Sequence, residues 1–120
     1  MNDLGPEERR EIRSQAEDAG LSIVGLHWLF VSPEGLHVTT NDAAVRRRTT
    51  AYFQSLIRFC GDLGGEVMII GSPQQREVLP GVTYETAWER FVDMIEASVD
   101  LAAERGAMLC MAALPPDQCN

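Results

Sequence analysis

The sequence predicts an α/β fold in which three helices alternate with three parallel strands, in the order αβαβαβ. Three stretches have helical periodicity, and each is followed within two or three residues by a short apolar run. Continuous apolar runs are typical of strands in a parallel sheet. The helix-to-strand connections are short and the strand-to-helix connections are long. Binding residues are therefore expected at the carboxyl ends of the strands, where the long loops gather.

Three helices are predicted, and each ends at a glycine. The first is mostly charged, and Pro6 is well placed for its first turn. The second is expected to begin at Asn41 or Asp42 as N-cap. The second and third each carry a broad apolar stripe at helical spacing, which is typical of a helix that packs on a core. The predicted ranges are 6–19, 42–63 and 83–105.

The apolar runs that predict strands are LSIVGLHWLF, EVMIIG and AMLCMAAL. In the last run, residues 109–114 are expected to form a buried strand, which Pro115 and Pro116 stop. Three parallel strands leave a sheet edge and one face open, whereas a closed barrel needs eight strands and about 250 residues. The chain is therefore expected either to associate or to be part of a longer one.

The composition limits the class of protein. With 120 residues, 45% of them apolar, the chain is expected to form one domain, residues 1–120. No apolar segment is long enough for a membrane span, and the stretch MNDLGPEERREIR has no apolar h-region, so a protein without a secretory signal is expected. The odd count of three cysteines suits reduced thiols better than a disulfide framework. A cytoplasmic protein without a membrane partner is predicted.

The charge pattern argues against a nucleic-acid partner. The net charge is −8, whereas a protein that binds the phosphate backbone needs clustered Lys and Arg. All ten basic residues are arginines, and the only basic run is Arg46, Arg47 and Arg48. Because this run lies in a predicted helix, it is interpreted as a solvated face, with an anion contact as the alternative.

Several stretches together resemble the sugar phosphate isomerase/epimerase proteins that have a xylose-isomerase-like TIM barrel. They include GLHWLFVSPEGLHVTTND, EVMIIGSPQQREVLPGV and MLCMAALPP, and the most specific part is Gly71-Ser72-Pro73-x-Gln75-Arg76 followed by Leu79-Pro80-Gly81. The resemblance covers nearly the whole chain from Leu21 on. It corresponds to the second to fourth barrel strands with the preceding first helix. A partial TIM barrel of about three strands and three helices is thus expected.

The resemblance implies a metal-dependent aldose–ketose isomerisation or epimerisation of a small sugar or sugar phosphate. In the intact relatives a divalent Mn, Mg or Zn ion is expected, held first by a Glu at the end of the fourth strand. That Glu falls on Ala112 in this sequence, and a methyl group neither binds a cation nor accepts a proton. No catalytic or metal residue is therefore carried over. The chain is expected to be truncated, to need no cofactor alone and to be inactive alone.

Four residues are candidates for substrate binding. His27 lies near the end of the first strand, and its alternative role is packing beside Trp28. Ser72, Gln75 and Arg76 follow the second strand and suit sugar hydroxyls, a phosphate or a carboxylate. The alternative is that Ser72 caps a turn and Arg76 pairs with Glu77 or Glu66. A functional role is not expected for His37, and the following residues are expected to pack in the core: Trp88, Phe91, Met94, Met108 and Met111.

Three functional hypotheses follow. The first is the amino-terminal part of a sugar isomerase/epimerase-like barrel. The second is a non-catalytic module that forms a homo-oligomer through its open parallel sheet. The third keeps the barrel but changes the substrate to damaged DNA, and the acidity of the chain argues against it. Walker, Rossmann, HExxH, GxSxG and CxxC motifs are absent, which removes the functions that they indicate.

Overall fold

The computed structural model describes residues 3–118, which contain three parallel strands and four helices. The predicted αβαβαβ order is confirmed, with one short helix added in the connection that follows the second strand. In chain order the elements are α1 Pro6–Asp18, β1 Gly25–His27, α2 Ala43–Asp62, β2 Val67–Ile70, α3 Pro73–Arg76, α4 Tyr84–Glu104 and β3 Met108–Met111. The three long helices begin and end within a residue of their predicted limits.

The starts of the two long amphipathic helices are fixed by side chains that precede them. The Asp42 carboxylate accepts hydrogen bonds from the backbone N–H groups of Ala44 at 2.9 Å and Val45 at 3.1 Å. The Thr83 hydroxyl accepts one from the N–H of Thr86 at 3.2 Å. These bonds satisfy donors that have no partner within the helix. Of the two N-cap candidates for α2, the structure selects Asp42.

The strands form one open sheet in the order β1-β2-β3, so β2 lies in the centre. Gly25 pairs with Val67, and Val67 pairs with Met108. At the first of these pairs a Cβ on Gly25 would lie 1.9 Å from the carbonyl oxygen of Val67. A glycine is therefore required for β1 to approach β2 this closely.

The helices cover only one face of the sheet. Side chains that pair across a parallel sheet point to the same face. Leu26, Met68 and Leu109 form one such row, in which Met68 is fully buried and the other two pack against the core. The next row, His27, Ile69 and Cys110, points to the opposite face, where no described element covers it. The expected open face is confirmed.

The hydrophobic core lies between this covered face and the helices. Phe30 stacks at a tilt on Phe53, with ring centroids 5.7 Å apart. Helix α1 is attached to the outside of α2, since Arg9 forms an ion pair with Asp62 at 2.8 Å and lies 4.8 Å from the centre of the Phe59 ring. The largest fully buried apolar side chains are Phe30, Phe53, Leu29, Leu56, Ile57, Met68 and Ile70.

The expectation of a buried strand at 109–114 is wrong. The strand spans Met108–Met111, and these two end residues are 66% and 51% exposed. The physical reason is that β3 is an edge strand with a neighbour on one side only. Trp88, also expected in the core, is 51% exposed, whereas Met94 is buried as expected.

Cys60 is buried and Cys110 partly buried, and neither is in a disulfide. The third cysteine, Cys119, lies outside the described residues. No helix within residues 3–118 is both long enough and apolar enough to cross a membrane.

Candidate functional site

The carboxyl ends of the three strands lie at one edge of the sheet, here called the strand-end edge. His27 ends β1, Gly71 and Ser72 follow β2, and Ala112 follows β3. The backbone N–H of Ala112 donates to the carbonyl of Ile70 at 3.1 Å, which continues the pairing of β3 with β2 by one residue. The structure therefore brings the predicted candidates and Ala112 to the same edge.

His27 is an exposed residue of the open face. Its imidazole lies against Gly71, since a Cβ on that glycine would be 3.0 Å from Nε2 of His27 and 3.2 Å from Trp28. The rings of His27 and Trp28 are 6.0 Å apart and tilted by 57°. His27 thus lies beside Trp28, as its alternative role requires, and it is also exposed at the strand-end edge.

Ser72 is fully buried, and its hydroxyl links two loops. Its Oγ accepts a hydrogen bond from the backbone N–H of Phe30 at 3.0 Å. The bond joins the loop after β1 to the end of β2, and its two residues are 42 positions apart in the sequence. Because a buried N–H needs an acceptor, this contact positions the strand-end edge. No ligand is needed to explain why a hydroxyl lies at this position.

Gln75 holds a second loop through its backbone. Its carbonyl accepts a hydrogen bond from the N–H of Val38 at 2.8 Å, and its own N–H donates to the carbonyl of Ser72 at 3.2 Å. The side chain is half-buried. The short helix α3 therefore ties the β1–α2 loop to the end of β2.

Arg76 reaches across to the third strand. Its Nη2 donates to the carbonyl oxygen of Ala112 at 2.6 Å. Its Nε is buried and has no hydrogen-bond partner among the described residues. The surface ion pair with Glu77 or Glu66, considered as an alternative, is not formed in the described part of the chain. The positive charge of Arg76 is therefore not balanced by a carboxylate of the described residues.

A cleft of about 330 Å³ opens beside Arg76, here called the strand-end cleft. It lies between the start of α4 and the residues around the end of β3. Tyr84 and Trp88, one helical turn apart, are 64% and 51% exposed and line it together with Arg76 and Ala112. Aromatic walls with a few polar groups are typical of small-molecule sites. Neither aromatic residue is predicted as a site residue from the sequence, and the available signal is their i, i+4 spacing after a long loop.

His37 has a structural role, as expected. Its Nδ1 accepts a hydrogen bond from the N–H of Thr39 at 3.2 Å, and its own N–H donates to the Thr49 hydroxyl at 3.0 Å. Burial lowers the pKa of His37, and the Glu77 carboxylate and the Gln74 backbone oppose that shift only in part. The imidazole is held neutral inside a loop and does not line the strand-end cleft.

The family model described as xylose isomerase-like TIM barrel matches residues 1–120, the whole chain. The chain belongs to this family. The expected resemblance and the partial-barrel fold are thereby confirmed. No curated protein matches the chain significantly.

Solved structures of sugar epimerases share the fold of this xylose isomerase-like chain. A D-psicose 3-epimerase in the presence of D-fructose has a TM-score of 0.79 at 21% identity, over 99% of this chain and 41% of the epimerase. A D-psicose 3-epimerase with D-tagatose from Clostridium cellulolyticum H10 has a TM-score of 0.74 at 14% identity, and the match covers 96% of this chain and 39% of that epimerase. An L-ribulose 3-epimerase has a TM-score of 0.67 at 20% identity, and the match covers 88% of this chain and 35% of that epimerase. The chain spans well under half the length of these epimerases.

The residues at the strand-end edge do not fit the divalent metal that the family implies. A hard cation prefers carboxylate oxygens, whereas this edge presents the imidazole of His27, the methyl of Ala112 and the positive charge of Arg76. Within residues 3–118, no three His, Cys, Asp or Glu side chains form a group able to hold a metal ion. We therefore assign no metal ligand and no metal-dependent step to these residues.

Proposed function

We propose that this chain is the amino-terminal part of a sugar isomerase/epimerase-like TIM barrel and that its strand-end cleft binds a sugar or sugar phosphate. The observation that carries the proposal is the cleft itself, where a guanidinium with no ion-pair partner among residues 3–118 lies beside two exposed aromatic rings. Arg76 suits a phosphate or a sugar oxygen, and Trp88 offers a flat apolar wall. The sugars in the structures of the similar epimerases support the choice of substrate class.

The proposal gives different roles to the four candidate residues. Arg76 contacts the ligand in the cleft, and His27 contacts a sugar from the open face at the same edge. Ser72 and Gln75 position the loops, since the Ser72 hydroxyl and the Gln75 backbone are already engaged. The proposal also includes that residues 1–120 form a partial barrel domain and that the protein is cytoplasmic. The cytoplasmic location is supported by Cys60 and Cys110, which are not in disulfides.

Tryptophan fluorescence tests binding, because the chain has only two tryptophans. In a Trp28→Phe variant Trp88 is the sole tryptophan, and its emission is expected to change on titration with D-fructose or a sugar phosphate. In a Trp88→Phe variant the remaining Trp28 lies outside the cleft and reports only on the neighbouring His27, so the response is expected to be clearly weaker. An equal response in both variants, or none in the first, would contradict sugar binding at this cleft.

We also propose that the 120 residues catalyse little or no isomerisation by themselves. Isomerisation next to a carbonyl needs a base and stabilisation of the enediolate oxygens. At the strand-end edge the position expected to hold a Glu is Ala112, whose carbonyl already accepts from Arg76. The test is chromatography of D-fructose incubated with the purified chain and Mn²⁺. Turnover that depends on both protein and metal would overturn this part of the proposal.

The alternative function, a self-associating module, has one observation in its favour. The open face carries Met108, 66% exposed, on an edge strand whose outer side has no partner among the described residues. Such a face and edge favour pairing with a second copy. Met108→Glu is expected to dissociate such an assembly, whereas Val99→Glu on the exposed side of α4 is not. A folded wild-type monomer in sedimentation at micromolar concentration would exclude this function.

A further inference from the structure

A second cleft, of about 340 Å³, lies between the first halves of α2 and α4, here called the interhelix cleft. It shares no lining residue with the strand-end cleft. Arg46 and Arg47 line it from α2, and Arg90 and Asp93 line it from α4. Thr50 adds a hydroxyl to the same wall. None of these residues has a part in the sugar binding that is proposed for the strand-end cleft.

The interhelix cleft is positive within an acidic chain. Three guanidinium groups and one carboxylate line it, which leaves a formal charge of +2, whereas the whole chain carries −8. Of the seven other arginines, four form ion pairs with Asp or Glu, namely Arg9, Arg10, Arg13 and Arg105, and among the described residues Arg48, Arg58 and Arg76 do not. In the part of the chain that the structure describes, none of the three arginines of this cleft has an ion-pair partner. The local positive charge is therefore uncompensated.

Two of these arginines are held in place by neutral acceptors. Arg46 donates through Nη1 to the carbonyl of Thr40 at 2.6 Å. Arg90 donates through Nη1 to the carbonyls of Thr39 at 2.7 Å and Thr40 at 3.0 Å, and to the Asn41 side chain at 3.1 Å. A guanidinium has five N–H donors, so these bonds fix the groups and leave donors on the other nitrogens. Fixed donors lose less conformational entropy when they bind an anion.

We propose that the interhelix cleft binds the phosphate group of a small phosphorylated metabolite. A guanidinium donates two parallel hydrogen bonds to phosphate oxygens, and the formal charge of the cleft matches a phosphate dianion. The volume is in the range of small-molecule sites and leaves room for a short carbon skeleton beside the phosphate. This site is separate from the sugar site of the strand-end cleft, and it does not depend on the chain having isomerase activity.

The test compares two arginines of the same helix. Arg47 lines the cleft and makes no side-chain hydrogen bond or ion pair among the described residues, so Arg47→Gln is expected to fold normally. Arg58 is also exposed on α2 but does not line the cleft, so Arg58→Gln makes the same change of charge elsewhere. Binding is measured by calorimetry and by the rise in melting temperature, with inorganic phosphate and a sugar monophosphate. Sodium chloride at equal ionic strength is the control for screening.

The expected result is phosphate binding by the wild type and by Arg58→Gln, weakened about tenfold in Arg47→Gln because one charged hydrogen-bond donor is lost. Tighter binding of the sugar monophosphate that is lost in Arg47→Gln would identify a phosphate ester as the ligand of the interhelix cleft, and equal binding of the two would identify free phosphate instead. The proposal is overturned if phosphate and chloride have equal effects, or if the two variants lose affinity equally. Failure here leaves the fluorescence test of the strand-end cleft unaffected.

Discussion

The hydrogen bond from Phe30 to Ser72 gives a quantitative test of how the strand-end edge is held. Ser72→Ala removes the acceptor of the Phe30 N–H, and both residues are almost completely buried, so water cannot replace it. An unsatisfied buried donor costs about 1–3 kcal/mol. We therefore expect a loss of about 2 kcal/mol in the free energy of unfolding. At about 4 °C per kcal/mol for a domain of this size, the melting temperature should fall by roughly 8 °C.

The assay is urea denaturation at 25 °C, with thermal melting followed by circular dichroism. The matched control is Ser22→Ala, because Ser22 is exposed and makes no hydrogen bond among the described residues. Its unfolding free energy should change by less than about 0.5 kcal/mol. If Ser72→Ala were no more destabilising than this control, the structural role of the Ser72 hydroxyl would be refuted. A ligand-binding role for Ser72 would then regain support.

Three further predictions concern the half-buried His37 and two fully buried residues, Cys60 and Met68. The lowered pKa of His37 means that below its ordinary value of 6.5 the unfolded chain takes up a proton that the folded chain does not. Stability measured by urea titration should therefore fall as the pH drops below 6.5, and His37→Asn should flatten this dependence. Burial also raises the pKa of Cys60, so iodoacetamide at pH 8 should modify it about tenfold or more slowly than Cys110, as mass spectrometry of the peptides would show. Met68→Ala, at a fully buried position of the central strand, should lower the unfolding free energy by about 2–5 kcal/mol, and a loss below 1 kcal/mol would contradict the described core.

The order of the elements and the limits of the three long helices were predictable from the sequence because they depend on local patterns. Apolar stripes and terminal glycines located α2 and α4, and continuous apolar runs located all three strands. The extent of β3 was not predictable in the same way. Whether an apolar residue such as Met111 is buried depends on how many neighbours its strand has, and this is a property of the assembled sheet.

The sequence predicted where the candidate site lies, at the carboxyl ends of the strands. It predicted only some of the residues that line the site. Arg76 and His27 do lie at the strand-end edge, because parallel strands align their carboxyl ends. Trp88 was missed since its helical spacing is the same whether or not another element packs on it. The interhelix cleft was not predictable from the sequence either. Arg46 and Arg90 are 44 positions apart in the sequence, and only the packing of α2 on α4 brings them together.

The pairing register has a consequence for how the chain folds. Gly25 pairs with Val67, 42 positions on, and Val67 pairs with Met108, 41 positions on. Each step therefore closes a loop of about 40 residues before any strand-to-strand hydrogen bond forms, and such non-local contacts slow folding. During synthesis β1 has no partner until β2 leaves the ribosome, and the outer side of β2 stays unpaired until β3 follows. The nascent sheet is thus most open to mispairing with other chains before Met111 has emerged.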